Sequence, residues 1–166
     1  MLDLIIKNGK CYIDGELRKL DITIKDGKIQ NIGEVSEDAK DTFDAEDLIV
    51  LPGCIDTQTH FREPGSTDTE DLHSGSRAAV AGGITAVFEM PNTNPPTANK
   101  KEFHRKLDLA KNRMYCNYAF YFGATPDNAN ELADLKDLEG CCGIKLFAGS
   151  STAVSYTHLR AHETTN

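Results

Sequence analysis

The sequence predicts an α/β chain in which a β-meander leads into the parallel βα units of a barrel, and three observations carry that expectation. Short β-rich runs in the first fifty residues are separated by Asn8-Gly9, Asp14-Gly15 and Asp26-Gly27, dipeptides suited to turns of positive φ. From Leu48 onward, apolar strand-like runs alternate with helical patterns, which implies right-handed crossovers. His60, Asn92 and Lys145 stand at or near the ends of those runs. Functional residues of a βα barrel gather at the carboxyl ends of its strands. A doubly wound open sheet is the second choice, but no glycine-rich phosphate turn follows the first strand.

Taken in order, residues 4–6, 11–13, 20–24 and 28–32 form the strands of the meander. Residues 34–47 are acidic and polar and read as a surface connection. The apolar run 48–51 reads as a buried strand that passes through Pro52-Gly53 into alternating residues. Period-two alternation puts Asp56, Gln58, His60 and Arg62 on one face. Such polar groups are costly to bury without a role, so this face is the candidate site. Asp56 can orient the site or cap a turn.

Thr67-Asp68-Thr69 can cap a helix carrying Leu72, Ser76, Ala79 and Val80 on one stripe, ended by Gly82-Gly83. Residues 84–90 form the next strand, closed by Pro91-Asn92. A basic helix over residues 100–112 turns Phe103, Leu107 and Ala110 inward. Residues 116–122 are a strand, Pro126-Asp127 opens a helix with Leu132, Leu135 and Leu138, and residues 142–147 are the last strand.

Composition narrows the function classes. A net charge of -8 argues against nucleic-acid binding, which needs a basic face. No run of about 18 apolar residues exists, so no helical membrane span is encoded. The first residues lack the basic start and cleavage site of a signal peptide. Five cysteines without metal-finger spacing read as free, packed thiols, and with that the expected compartment is the cytoplasm. Residues 154–164 resemble the translated read-through of a sequencing adapter. Residues 154–166 are therefore expected to be non-native, with His158 and His162 there by chance.

Three segments carry a family resemblance: Asp56-Thr-Gln-Thr-His-Phe-Arg-Glu-Pro-Gly65, Met90-Pro-Asn92 and Gly143-Ile-Lys-Leu-Phe-Ala-Gly-Ser-Ser-Thr152. They resemble the dihydroorotases of the amidohydrolase superfamily. The resemblance implies an α/β fold in which strands of a small β-sandwich (residues 1–52) precede the first half of a (β/α)8 TIM-type barrel (residues 53–153). It also implies a Zn2+-dependent, reversible hydrolysis of L-dihydroorotate to N-carbamoyl-L-aspartate in pyrimidine biosynthesis.

Within the resemblance, His60 is a metal ligand and Lys145, as a carbamate, bridges metal ions. Arg62 and Asn92 hold the substrate carboxylate, to which a planar guanidinium offers two parallel donors. Read alone, Arg62 could instead pair with Glu63 or Glu70, and Asn92 could be a plain turn residue. Arg62 is the residue expected to separate a dihydroorotase from dihydropyrimidinases and allantoinases. Gln58 stands where the family has its first histidine, and a glutamine oxygen holds zinc more weakly than imidazole. The family's late-barrel aspartate and two later histidines have no counterpart here, so no catalytic acid–base residue is assigned and the 166-residue chain is expected to be inactive and poorly folded. The alternatives are a non-catalytic structural partner of aspartate transcarbamoylase and another cyclic amidohydrolase, a hydantoinase or allantoinase. For a full-length parent the implied partners are a second copy or aspartate transcarbamoylase.

Overall fold

The computed structural model describes residues 1–147, and the chain divides into two compact units, Met1–Pro52 and a second beginning at Gly53. The motif residues 148–152 and the tail with His158 and His162 lie outside the described residues.

The first unit is a five-stranded sheet. β1 (Leu2–Ile13), β2 (Glu16–Lys25) and β3 (Lys28–Gly33) form an antiparallel meander, and β4 (Ala39–Asp44) and β5 (Ile49–Val50) join β1 in parallel. Asp14-Gly15 and Asp26-Gly27 make the two hairpin turns, both residues of each in the left-handed region. Asn8-Gly9 is not a turn. Asn8, at φ 62°, makes a bulge inside one continuous β1, its N–H donating to Asp21 Oδ1 and its side-chain amide to Asp44. Gly9 has no side chain because a Cβ there would sit 2.6 Å from Val50.

Two further expectations for this unit give way. Residues 34–47 are more than a connection, since they supply β4, in register Leu4↔Asp41 and Ile6↔Phe43. The polar sequence hides it because one strand partner satisfies the backbone whatever the side chains are. The run 48–51 is not buried: Leu48, Ile49 and Leu51 are each at least half exposed, and only two residues pair with β1. Leu2, Ile5, Cys11, Ile22 and Ala45 form this unit's buried apolar set.

The second unit is a parallel sheet in the order β6 (Cys54–Thr59), β7 (Ile84–Glu89), β8 (Asn117–Gly123), β9 (Cys141–Lys145). Its connections are α1 (Leu72–Ala81), α2 (Lys100–Ala110) and a 3₁₀ segment (Pro126–Asp137) where an ordinary helix was expected. This is the beginning of a TIM-type barrel. Phe61, Leu72, Val87, Phe103, Ala110, Phe120, Phe122 and Leu135 form its core between sheet and helices. Val87, Glu89, Phe120 and Phe122 therefore face the helices, and by alternation Gln58 and His60 face the other way from Thr59 and Phe61. Gly75 of α1 lets the Phe61 ring in, since a Cβ there would collide with it.

The α1 cap is Asp71, not residues 67–69. Its Oδ1 accepts from Ser74 N–H at 2.6 Å while Ser74 Oγ accepts from Asp71 N–H at 3.1 Å, a capping box. Those bonds from Ser74 hold the Asp71 carboxyl below its ordinary value of 3.8. A depressed folded pKa gives stability that is complete above 3.8 and lost as pH falls through the folded value. Asp71→Ala is therefore expected to cost about 0.5–2 kcal/mol at neutral pH and to remove that acid limb. Urea unfolding across the acid range measures both.

Candidate active site

His60 is the centre of the site. It follows β6 at the carboxyl end of the sheet, half-buried, with Nδ1 2.9 Å from Asn92 Oδ1. Asn92 is buried in the turn after β7, where Met90 N–H donates to Thr59 O at 2.9 Å and so ties the two strand ends together. With the amide oxygen accepting, Nδ1 carries the proton and Nε2 keeps its lone pair. Burial lowers the His60 pKa, the Asn92 bond opposes this, and the positive charges of Arg62, Lys145 and Lys106 lower it further. The ring is thus biased to the neutral state a metal ligand needs.

Lys145 ends β9, aligned with Gly123 of β8, and its Nζ lies 5.2 Å from the centre of the Phe147 ring. Gln58 is exposed on β6, with its backbone N–H bonded to Asp56 Oδ1 at 2.9 Å. Asp56 thereby serves as a local turn acceptor. Arg62 lies beyond the strand in the left-handed region, at φ 61°, so alternation along β6 does not place it. It makes no ion pair among the described residues. Glu63 is instead held by Arg113, at 2.8 and 3.1 Å, and also accepts from Leu72 N–H at 2.9 Å.

A hydrogen bond joins His60 to Asn92, and the positive charges of Arg62 and Lys145 act on the His60 ring. Among the described residues, no three of His, Cys, Asp and Glu cluster to hold a metal ion. One imidazole, one amine and an exposed glutamine do not make a complete zinc site by themselves.

Two residues of consequence escaped the sequence reading. Glu89 ends β7 and Lys106 lies on α2, both essentially without exposure and ion-paired to each other behind the strand ends. Lys106 sits three residues after Phe103 and four before Ala110, on the stripe already expected to face inward. That placement was the available signal. Burial pushes Glu89 up to about 7 and Lys106 down, each opposed by the partner's charge.

A parallel sheet that gathers an imidazole, an amide, a guanidinium and an amine at its carboxyl edge belongs to the βα-barrel class whose sites are built from strand ends. The chain belongs to the amidohydrolase family, whose model matches residues 49–165. It is 42% identical over 149 residues to an allantoinase of Escherichia coli O1:K1 / APEC, covering 89% of this chain and 33% of that protein. An allantoinase of Salmonella choleraesuis (strain SC-B67) matches to the same extent. Among solved structures, the L-hydantoinase (dihydropyrimidinase) from Arthrobacter aurescens superposes with a TM-score of 0.84 at 32% identity, covering 93% of this chain and 36% of that one. A D-hydantoinase (dihydropyrimidinase) from Thermus sp. gives 0.73 at 26% identity, covering 93% and 35%. The chain spans about a third of the length of these relatives.

These relatives bear the names of the alternative, cyclic amidohydrolases of allantoinase and hydantoinase type, rather than of dihydroorotase.

Proposed function

We propose that this chain is the site-bearing first part of a cyclic-amide hydrolase that opens a ureide ring, as allantoinases and hydantoinases do by name. The observation that carries the reading is the His60–Asn92 hydrogen bond at the carboxyl end of β6, with Arg62 in the turn that follows and Lys145 at the end of β9 in the same sheet. Zinc belongs to the reading as a group completed by ligands beyond those of the described residues. This chain's share would be His60 Nε2, Lys145 as a carbamate, and Gln58 through its amide oxygen. When bound, the metal supplies an activated water. The chain's own residues orient: Asn92 fixes the imidazole, and Arg62 offers donors to an anionic or carbonyl group of the ring.

The kinship favours a ureide ring, while the Arg62 guanidinium at the site favours dihydroorotate, the second reading, with its carboxylate and its association with aspartate transcarbamoylase. The test is a chimera in which residues 1–147 replace the corresponding third of the Escherichia coli allantoinase, assayed with zinc on allantoin, hydantoin and dihydroorotate. Allantoin or hydantoin opening is expected, and opening of dihydroorotate alone would move the assignment to the second reading. No turnover of any ring, in a chimera that folds, would reject the hydrolase reading. In the same chimera Gln58→His is expected to raise zinc affinity by about 10-fold or more, because imidazole replaces an amide oxygen. Competition with a chromogenic chelator measures that affinity.

A further inference from the structure

We propose that the buried Glu89–Lys106 pair is the positioning device of the His60 site, fixing from behind the two strand-end turns that bring His60 and Asn92 together. The inference rests on the reading of His60 as the site's centre. Glu89 Oε1 accepts from the N–H of Phe61, the residue after His60, at 3.2 Å. Lys106 Nζ donates to the carbonyl of Met90, two residues before Asn92, at 2.9 Å. Lys106 also lies 5.1 Å from the centre of the Phe120 ring, so α2 and β8 both brace it. The pair is therefore a four-point link from Phe61 N–H through both side chains to Met90 O.

The chemistry argues for positioning over stability. Both backbone groups lie past the end of the β6–β7 ladder, are buried, and need partners that a strand no longer supplies. A hydrophobic pair would fill the space at least as well, since removing two charges from water offsets much of their attraction. What an apolar pair cannot do is accept from one turn and donate to the next. The polarity is specific: the carboxylate meets the N–H and the ammonium meets the carbonyl.

The test reads the tautomer of His60 by long-range 15N–1H NMR on the metal-free chimera carrying residues 1–147, at a pH where the ring is neutral. The unsubstituted chimera is expected to show one tautomer, protonated on Nδ1. Glu89→Leu/Lys106→Met replaces both by apolar side chains and is expected to lose that single tautomer while keeping its circular-dichroism spectrum. Glu89→Asp keeps both charges but shortens the reach by one methylene; it is expected to do the same, and it decides the matter if the double variant does not fold. Phe103→Leu, which loosens the same layer without touching the pair, is expected to lower Tm and keep the tautomer. Retention of the Nδ1–H tautomer in a folded Glu89 variant overturns the proposal, as does its loss in Phe103→Leu. Absence of that tautomer in the unsubstituted chimera overturns the His60–Asn92 reading itself, a distinct result.

Discussion

Lys106→Met will lose about 3–5 kcal/mol of folding stability, the cost of leaving a buried carboxylate without its partner. Glu89 and Lys106 are both nearly free of solvent, and among the described residues no other cation is paired with Glu89. The loss grows with pH. Glu89's folded pKa is raised from 4.5 to about 7, so the folded state binds more protons than the unfolded one. The stability linked to that shift is complete below 4.5 and is lost as pH rises through the folded value. Lys106 is the charge that holds the value down, so in the variant it moves higher and the loss extends further into alkali. Urea unfolding will show a smaller deficit at about pH 5 than at about pH 8. Replacing both residues by apolar ones will recover only part of the deficit, since Phe61 N–H and Met90 O then lack their partners, and a double-mutant cycle separates the pair's net worth from the cost of breaking it. An equal deficit at both pH values would exclude the unpaired carboxylate as its cause.

Phe103→Ala will cost about 3–5 kcal/mol, as expected for deleting a fully buried aromatic side chain. Phe103 meets Phe120 edge-on at 6.4 Å between ring centres and Phe122 tilted at 6.1 Å, so its loss empties the contact between α2 and β8. The loss is a large share of the roughly 5–15 kcal/mol that holds a domain folded. Thermal unfolding followed by circular dichroism measures it. A fall in Tm of only a degree or two would show that the neighbouring side chains collapse into the space.

The alternation of strands and helices, the two Asp-Gly hairpins, the inward stripe of α2 and the strand ends bearing His60, Asn92 and Lys145 were legible in the sequence, because each rests on local periodicity or a local turn rule. Less legible were features set by partners distant in the chain. β4 forms from an unpromising polar stretch because β1 lies beside it with free backbone groups. Asn8-Gly9 obeys the same dipeptide rule as the hairpin turns, but the pairing of β1 with β2 on both sides makes it a bulge. Family membership was legible from the motifs; the choice of dihydroorotase over its cousins leaned on Arg62, one residue whose left-handed turn no alternation rule describes.

The sequence by itself determined that His60 would stand at a strand end with an amide, a guanidinium and an amine in neighbouring turns. It determined equally that Gln58 can offer a metal only an amide oxygen, because residue identity alone decides which atoms can bind a metal. Only the tertiary structure decided that Asn92 turns its side chain to His60 rather than to open space, and that Glu63 belongs to Arg113 and not to Arg62. Only the tertiary structure, too, joined Glu89 to Lys106 behind the site. The reason is common to all three. A charged or polar group at a strand end must find its partner among residues 17 to 50 positions away, and which one it meets depends on how sheet and helices pack, not on spacing along the chain.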